Sequence, residues 1–481
     1  MRILYIDMDS CRPDHLGCYG YHRNTSPNID RIAKDAAVFA NCYASDTPCL
    51  PSRTALLTGQ FGFKTGVVTH HGEASFPREP RMGAPAGAPH AALPAALLGA
   101  GFHTAFISPF IQRHNAWHTV AGFLEVHDTG KRGHEIASET NGAALPWLER
   151  RAREDNWFVH LNYWDPHRPY RTPIEYGNPF KDDPAPAWPD AETLERHYRS
   201  YGPRSASEPQ GYRWQKGKDW PREKTELRTP ADFKHWIDGY DTGIRYMDDH
   251  IGQILETLDR QGVLEETAIV LSADHGEMQG ELNVYGDHHC ADEATAHVPL
   301  IVKWPGVSKP GRHGGLCYNL DLTATIADLA GAKQPARWDG LSFASAVRGQ
   351  PWQGREYLVL GQGLWTCQRS VRTENWLMIR TFHPGLKPLP EVLLFDVEKD
   401  PHQTRDLAVE RPEAVNRCGH LMLDWTAKLL AQPHPIHDPL NVVIHEGGPC
   451  ATRGQRDRYV QYLKERGMPE AAEEVLRLNP V

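Results

Sequence analysis

The chain lacks the features that stabilise very small or membrane-spanning proteins. Its nine cysteines are an odd number spread over 481 residues, with no C-x-x-C pair, which argues against a disulfide framework or a zinc knuckle. No apolar run approaches the roughly 20 residues that span a bilayer. The opening Met1-Arg2-Ile3-Leu4-Tyr5-Ile6-Asp7 reaches charge too early for a signal peptide, so the expected location is the cytoplasm. Positive charge is also short: 52 Lys and Arg stand against 61 Asp and Glu, a net charge of -9. No global basic field therefore directs the chain to nucleic acid or to an anionic membrane.

What remains is a loop-rich globular composition, 40% hydrophobic and 23% charged with 41 Gly and 38 Pro, and enough length for more than one domain. Short β-rich runs at 3–6, 104–107, 157–162, 267–272 and 299–303 alternate with helical segments at 91–98 and 240–261. That order predicts an α/β fold, a large mostly parallel central sheet with helices on both faces, in which ligands bind beyond the carboxyl ends of the strands. Residues 164–228, heavy in Pro, Trp, Tyr and charge, are expected to form an irregular insertion over one face. After residue 350 the runs at 356–360, 370–372, 376–380 and 392–396 predict a short antiparallel sheet, followed by helices over 412–430 and 455–478. The expected division is an α/β domain over 1–350 and a smaller α+β subdomain over 351–481.

The candidate chemistry lies in the loops after the strands. In Cys49-Leu50-Pro51-Ser52-Arg53-Thr54-Ala55-Leu56-Leu57-Thr58-Gly59 a cysteine precedes a helix and an arginine follows one turn later. Read alone, this favours the thiolate and predicts a thiol nucleophile. Asp7 and Asp9 close the first strand, and Ser272-Ala273-Asp274-His275-Gly276-Glu277 follows the most strongly β-branched one. A carboxylate and an imidazole at a strand end make a plausible half of a divalent metal site. Asp165-Pro166-His167-Arg168-Pro169 and Tyr285-Gly286-Asp287-His288-His289-Cys290 bring further imidazoles to the same rim.

The whole string from Cys49 to Gly59 resembles the sulfatase signature, Cys-x-Pro-Ser-Arg followed by Leu-Thr-Gly. Ile6-Asp7-Met8-Asp9-Ser10-Cys11-Arg12-Pro13-Asp14 and Asp274-His275-Gly276 are similar to the two metal-binding segments of that family, within the alkaline phosphatase superfamily. The resemblance implies that Cys49 is oxidised to formylglycine (3-oxoalanine) by a formylglycine-generating enzyme. It also implies that Asp9, Asp274, His275 and the Cys49-derived hydrate hold a hard cation, calcium before magnesium or manganese. Many relatives carry a second aspartate where this chain has Ser10. Asp7 either compensates for it or is a hydrogen-bonded buried carboxylate.

The further roles the resemblance implies are Arg53 on the hydrate, His167 at the scissile ester, and His288 as the acid in place of a lysine, with His289 competing for that place. A histidine there makes the rate more sensitive to pH near neutrality. Lys64 and His70 follow the signature helix and are expected to line the pocket. Relatives often carry Gly-Lys-Trp-His after the strand at 104–107; here that string is absent, and Arg113 with His114 either enters the pocket from a shifted loop or lies on the surface. Trp164, Trp188, Trp214 and Trp220 either stack on sugar rings or pack the insertion, and packing is the favoured expectation.

The implied activity is hydrolysis of a sulfate ester on a sugar or oligosaccharide, with aryl sulfates as reporters. One alternative is a phosphonate monoester or phosphodiester hydrolase of the same superfamily; another is a binding protein that kept the fold and lost turnover. The helix from Gln455 is expected to cap the protomer or a neighbouring copy.

Overall fold

The computed structural model describes residues 1–78, 92–211, 220–431 and 437–479. Ala91, expected at a helix start, and Trp214 lie outside the described residues.

An eight-stranded sheet forms the centre. Its order is Gly311–Tyr318, Ala37–Tyr43, His297–Lys303, Thr267–Ser272, Arg2–Met8, Trp157–Tyr163, His103–Ile107 and Glu125–His127. Arg2–Met8, Trp157–Tyr163 and Thr267–Ser272 are buried at every position. Near-continuous apolar runs of this kind belong to parallel strands covered on both faces. Every pairing is parallel except those of His297–Lys303, which runs antiparallel to both neighbours. The 31-residue helix Pro230–Arg260 packs on Ala137–Arg151 and Pro27–Ala33, while Cys49–Thr58 packs on Asn319–Ala330 and Leu93–Gly99.

Register is what builds the rim. Asp7 lies opposite both Asn162 and Ser272, so the central strands end level. The residues that follow them, Asp9, Asp165 to His167 and Asp274 to His275, emerge at one place.

Four expectations change. The strands Ala37–Tyr43 and Gly311–Tyr318 have no clear period, the latter carrying three glycines and a register shift, and both go unread in the sequence. The signature helix begins at Cys49 itself rather than after it, because Pro51 falls in the first turn, where a missing N–H costs nothing. The single helix expected over 455–478 is two, Arg456–Glu465 and Pro469–Leu478, broken at the left-handed Gly467 and the proline after it. The C-terminal sheet does not stop at residue 351. Its strands Val392–Asp396, Trp376–His383, Cys367–Arg372 and Leu358–Gln362 are joined by Asp46–Thr47, two residues upstream of Cys49.

Candidate active site

Cys49 is the first residue of a ten-residue helix and is buried. Asp46–Thr47 is paired to the second sheet, which fixes where that helix starts. The signature residues each have a visible task. The Ser52 hydroxyl donates to the Asp274 carbonyl at 2.5 Å and accepts from Asn319 Nδ2 at 2.9 Å, tying the helix to the loop after Thr267–Ser272. Gly59 ends the helix at φ 61° with Trp338 against it; a Cβ would lie 2.8 Å from the indole. At Gly276 a Cβ would meet the Ala294 carbonyl at 2.1 Å, so the Asp-His-Gly turn admits no side chain there.

Arg53, one turn beyond Cys49, is wholly buried and binds three carboxylates. Its Nε and Nη2 donate to Asp7 at 2.7 and 3.1 Å, and its Nη1 donates to Asp9 at 2.9 Å and to Asp274 at 2.7 Å. Asp7 also faces His160 Nε2 at 3.0 Å. Both of its oxygens are thus hydrogen-bonded, and Asp7 is not among the four residues whose donor atoms converge beside Cys49. Ser10 donates its backbone N–H to Asp274 at 3.1 Å and its hydroxyl to Asp9 at 2.9 Å.

Asp9, Cys49, Asp274 and His275 bring one donor atom each to within 4.8 Å of one another. This donor set fits a hard divalent cation. It offers carboxylate oxygens and one imidazole, and three buried carboxylates against one guanidinium leave two negative charges to be neutralised. Burial opposes the charge on Asp7 and Asp9, but Arg53 overrides it and holds both below the usual carboxylate range. Asp274 is the under-compensated member: burial, helped by Asp9 and against Arg53, pushes it up to about 7.

Burial also raises the Cys49 thiol well above its ordinary value, with Asp9 and Asp274 adding to it against Arg53 and Arg113. The helix start does not make it a thiolate, which corrects the reading of Cys49 as an activated thiol.

Imidazoles and guanidinium groups cover the other side. A cavity of about 230 Å³ opens on Cys49 and is lined by His70, Arg113, His167, His288 and Trp220 among others. The His288 ring lies 4.5 Å from that of His275 and 6.1 Å from that of His167. Burial holds His288 well below its ordinary value and His167 at about 3, so both are neutral before a ligand arrives. His289 stacks on Trp365 at 4.0 Å, and it is Trp365 that faces the cavity. His288 is thus the better-placed of the two histidines.

Arg113 reaches the cavity from helix Phe110–His114, its Nη1 donating to the Arg132 carbonyl at 3.1 Å and its guanidinium 4.9 Å from the Trp164 ring. Lys64 does not reach it. Its Nζ is bound to Asp339 at 2.5 Å, because the short helix Gly62–Thr65 turns that side chain away. Trp164 packs over Arg53 and Arg113, and Trp188 stacks on His402, so these two tryptophans serve packing, as expected.

Sequence reasoning missed Arg168, Arg204 and Trp365, which line the cavity. Arg168 is held by Glu223 at 2.8 and 2.5 Å and Arg204 by Asp287 at 3.1 Å. These partners lie 55 and 83 residues apart along the chain, and no local pattern marks them. Glu277, inside the recognised Asp-His-Gly-Glu string, also lines the cavity. Burial pushes it up to about 8 although Tyr170 donates to it at 2.9 Å.

These shifts set the pH behaviour of the metal-free protein. Asp274 and Glu277 titrate above their unfolded values, so their charge destabilises the fold at high pH and is relieved as pH falls through about 8 and 7. His70, His114, His167 and His288 titrate below theirs, so stability is lost as pH drops below the ordinary histidine value of about 6.5. Metal-free protein should therefore melt highest slightly on the acid side of neutrality. A divalent cation at a hundred times its dissociation constant should add about 3 kcal/mol, with the larger gain at alkaline pH. Calorimetry with and without chelator checks both; a cation effect that grew as pH fell would contradict a site built on these carboxylates.

A family model described as Sulfatase matches residues 2–332, and one described as N-sulphoglucosamine sulphohydrolase, C-terminal, matches residues 280–415. The chain is 26% identical over 420 residues to a choline-sulfatase of Rhizobium meliloti, covering 80% of this chain and 77% of that one. It is 23% identical over 480 residues to an N-acetylglucosamine-6-O-sulfatase of Bacteroides thetaiotaomicron, covering 84% and 82%. Among solved structures, one in complex with its substrate D-glucosamine-2-N,6-O-disulfate superposes with a TM-score of 0.72 at 20% identity, covering 90% of this chain and 99% of that one.

Proposed function

The chain belongs to the sulfatase family, and from that premise we propose that it hydrolyses a sulfate ester of a small saccharide, using a formylglycine made from Cys49 and calcium as its resident cation. That it is a sulfuric ester hydrolase follows from the family and the named relatives; the substrate class, modified residue and ion are the proposal. The observation that carries it is the setting of Cys49. A thiol pushed up by burial and two carboxylates is a poor nucleophile as it stands, yet it sits between a hard-cation donor set and a cavity walled by imidazoles.

Asp9, Asp274 and His275, with residue 49, would hold the calcium, which supplies charge to the sulfuryl oxygens and acidity to the nucleophile when bound. Formylglycine at residue 49 would supply, as its hydrate, a nucleophilic hydroxyl and a second hydroxyl on the same carbon with a proton to lose. Arg53 keeps Asp9 ionised and holds both Asp9 and Asp274 in place. Arg113, anchored by a backbone carbonyl, presents a fixed positive charge to an entering sulfate. His288 and His167 are neutral in the free enzyme, so the negative charge of the bound ester is what raises their proton affinity. The one nearest the bridging oxygen then delivers its proton to the leaving alcohol. Trp220 and Trp365, on the cavity wall, offer flat faces suited to a sugar ring, and the relative named for N-acetylglucosamine supports the same class.

The reading requires a converting enzyme in the host. It is tested by the mass of the proteolytic peptide containing Cys49 from natively matured protein, together with turnover of an aryl sulfate and the matching aryl phosphonate. Formylglycine with the sulfate preferred is the expected result. A preferred phosphonate would move the chain to the other hydrolase class, and an unmodified thiol in active protein would overturn the mechanism.

A further inference from the structure

A second set of metal donors shares Cys49 with the first but uses none of its other members. The Cys49 sulfur and one ring nitrogen each of His70 and His114 lie within 4.8 Å of one another. The two rings stand 4.5 Å apart and tilted, with His114 Nε2 buried and without a hydrogen-bond partner among the described residues. His70 Nε2 accepts only a long bond, 3.4 Å, from the Leu50 backbone N–H. A buried ring nitrogen without a partner is costly unless something occupies it.

We propose that the chain, before Cys49 is converted, binds a borderline-soft transition metal, zinc being the type case, through Cys49, His70 and His114, with water in the fourth position. Zinc bonds of about 2.3 Å to sulfur and about 2.0 Å to nitrogen in a tetrahedron place the donor atoms roughly 3.5 Å apart. Closing from separations of up to 4.8 Å is within reach of side-chain rotation. One sulfur and two nitrogens suit zinc, whereas the carboxylates across the sulfur suit calcium. Binding is balanced by one proton: the thiol loses it to solvent as the sulfur–metal bond forms, and no oxidant is involved. The field of Asp9 and Asp274 that disfavours a bare thiolate favours a dication beside it. Conversion of Cys49 removes the sulfur, so this metal separates the immature chain from the mature one. The inference concerns the thiol form and does not depend on conversion taking place.

The test uses full-length protein carrying the Cys49 thiol, verified by peptide mass, with cobalt(II) as the spectroscopic probe and zinc as its competitor. One cobalt per chain is expected, with four-coordinate visible bands and a sulfur-to-metal charge-transfer band, both displaced by zinc and both retained in excess calcium. His70→Ala and His114→Ala should each weaken zinc at least about tenfold, the smallest loss that even an outer partner of a metal ligand causes. Formylglycine-bearing protein should lack the charge-transfer band. Displacement of cobalt by calcium, or loss of the bands in His288→Ala but not in His70→Ala or His114→Ala, would overturn the assignment. Should a variant fail to fold, the anomalous signal of zinc in crystals of unconverted protein decides the matter: density between Cys49, His70 and His114 is expected, and density between Asp9 and Asp274 refutes it.

Discussion

Cys49→Ser is expected to release one equivalent of alcohol from an aryl sulfate and then all but stop, with steady-state turnover lower by about four orders of magnitude or more. The expectation follows from counting hydroxyls. Serine offers a single oxygen; sulfuryl transfer to it releases the alcohol and leaves a sulfate ester on the enzyme. With no second hydroxyl on that carbon to lose a proton, the ester can leave only by attack of water on sulfur, in a cavity shaped for another reaction. The geometry supports the first half of the sequence. The hydroxyl introduced by Cys49→Ser would stand where the Cys49 sulfur lies, 3.1 Å from His275 Nε2 and at the start of the helix that carries Arg53. A stoichiometric burst and a sulfated peptide containing residue 49 are the measurements. Cys49→Ala should show neither burst nor turnover. Sustained turnover by the serine variant would mean that the diol is not needed and that Cys49 acts by other means.

The parts of this site that are legible in the sequence are the contiguous strings. The run from Cys49 to Gly59 keeps a recognisable order, although the partners that use it lie far along the chain: the Asp274 carbonyl for Ser52 and Trp338 for Gly59. Asp274-His275-Gly276 is legible in the same way, its glycine forced by the Ala294 carbonyl. The role of Arg53 is only half legible. Its place one turn after Cys49 suggests a hydrogen bond to the nucleophile. That it gathers Asp7, Asp9 and Asp274 depends on the register of strands 150 and more residues apart along the chain.

Lys64 stands close to the signature in sequence, but proximity does not set direction, and the nearby Asp339 claims its charge. His288 and His289 cannot be separated by counting, since they lie in the loop after strand Tyr285–Asp287, where no period sets direction: one turns toward His275, the other onto Trp365. Arg168 and Arg204 lie in the aperiodic insertion, where spacing carries no information and only the folded chain supplies Glu223 and Asp287 as partners.

The largest effect on stability is expected at Arg53. Arg53→Met keeps the apolar stem of the side chain and removes the guanidinium, which also lies over the Phe110 and Trp164 rings. It removes the only guanidinium, among the described residues, that touches Asp7, Asp9 and Asp274 together. Breaking a buried ion pair by deleting one partner costs about 3–5 kcal/mol, because the remaining charge is left uncompensated. Here three carboxylates share the loss, so the upper part of that range is expected in metal-free protein.

Two features separate this from ordinary loss of packing. With Arg53 gone, all three carboxylates titrate upward, so the folded variant binds more protons than the unfolded chain near neutrality. Its stability should therefore rise as pH falls from alkaline toward acid, more steeply than in the wild type. Calcium should also restore a larger share of stability to the variant than it adds to the wild type at saturation, since the ion takes over part of the neutralisation that Arg53 provided. Denaturant unfolding at several pH values, with calcium or with chelator, measures both. A deficit independent of pH and of calcium would place the importance of Arg53 in its stem and leave its guanidinium a minor part of what keeps Asp9 and Asp274 ready for a cation.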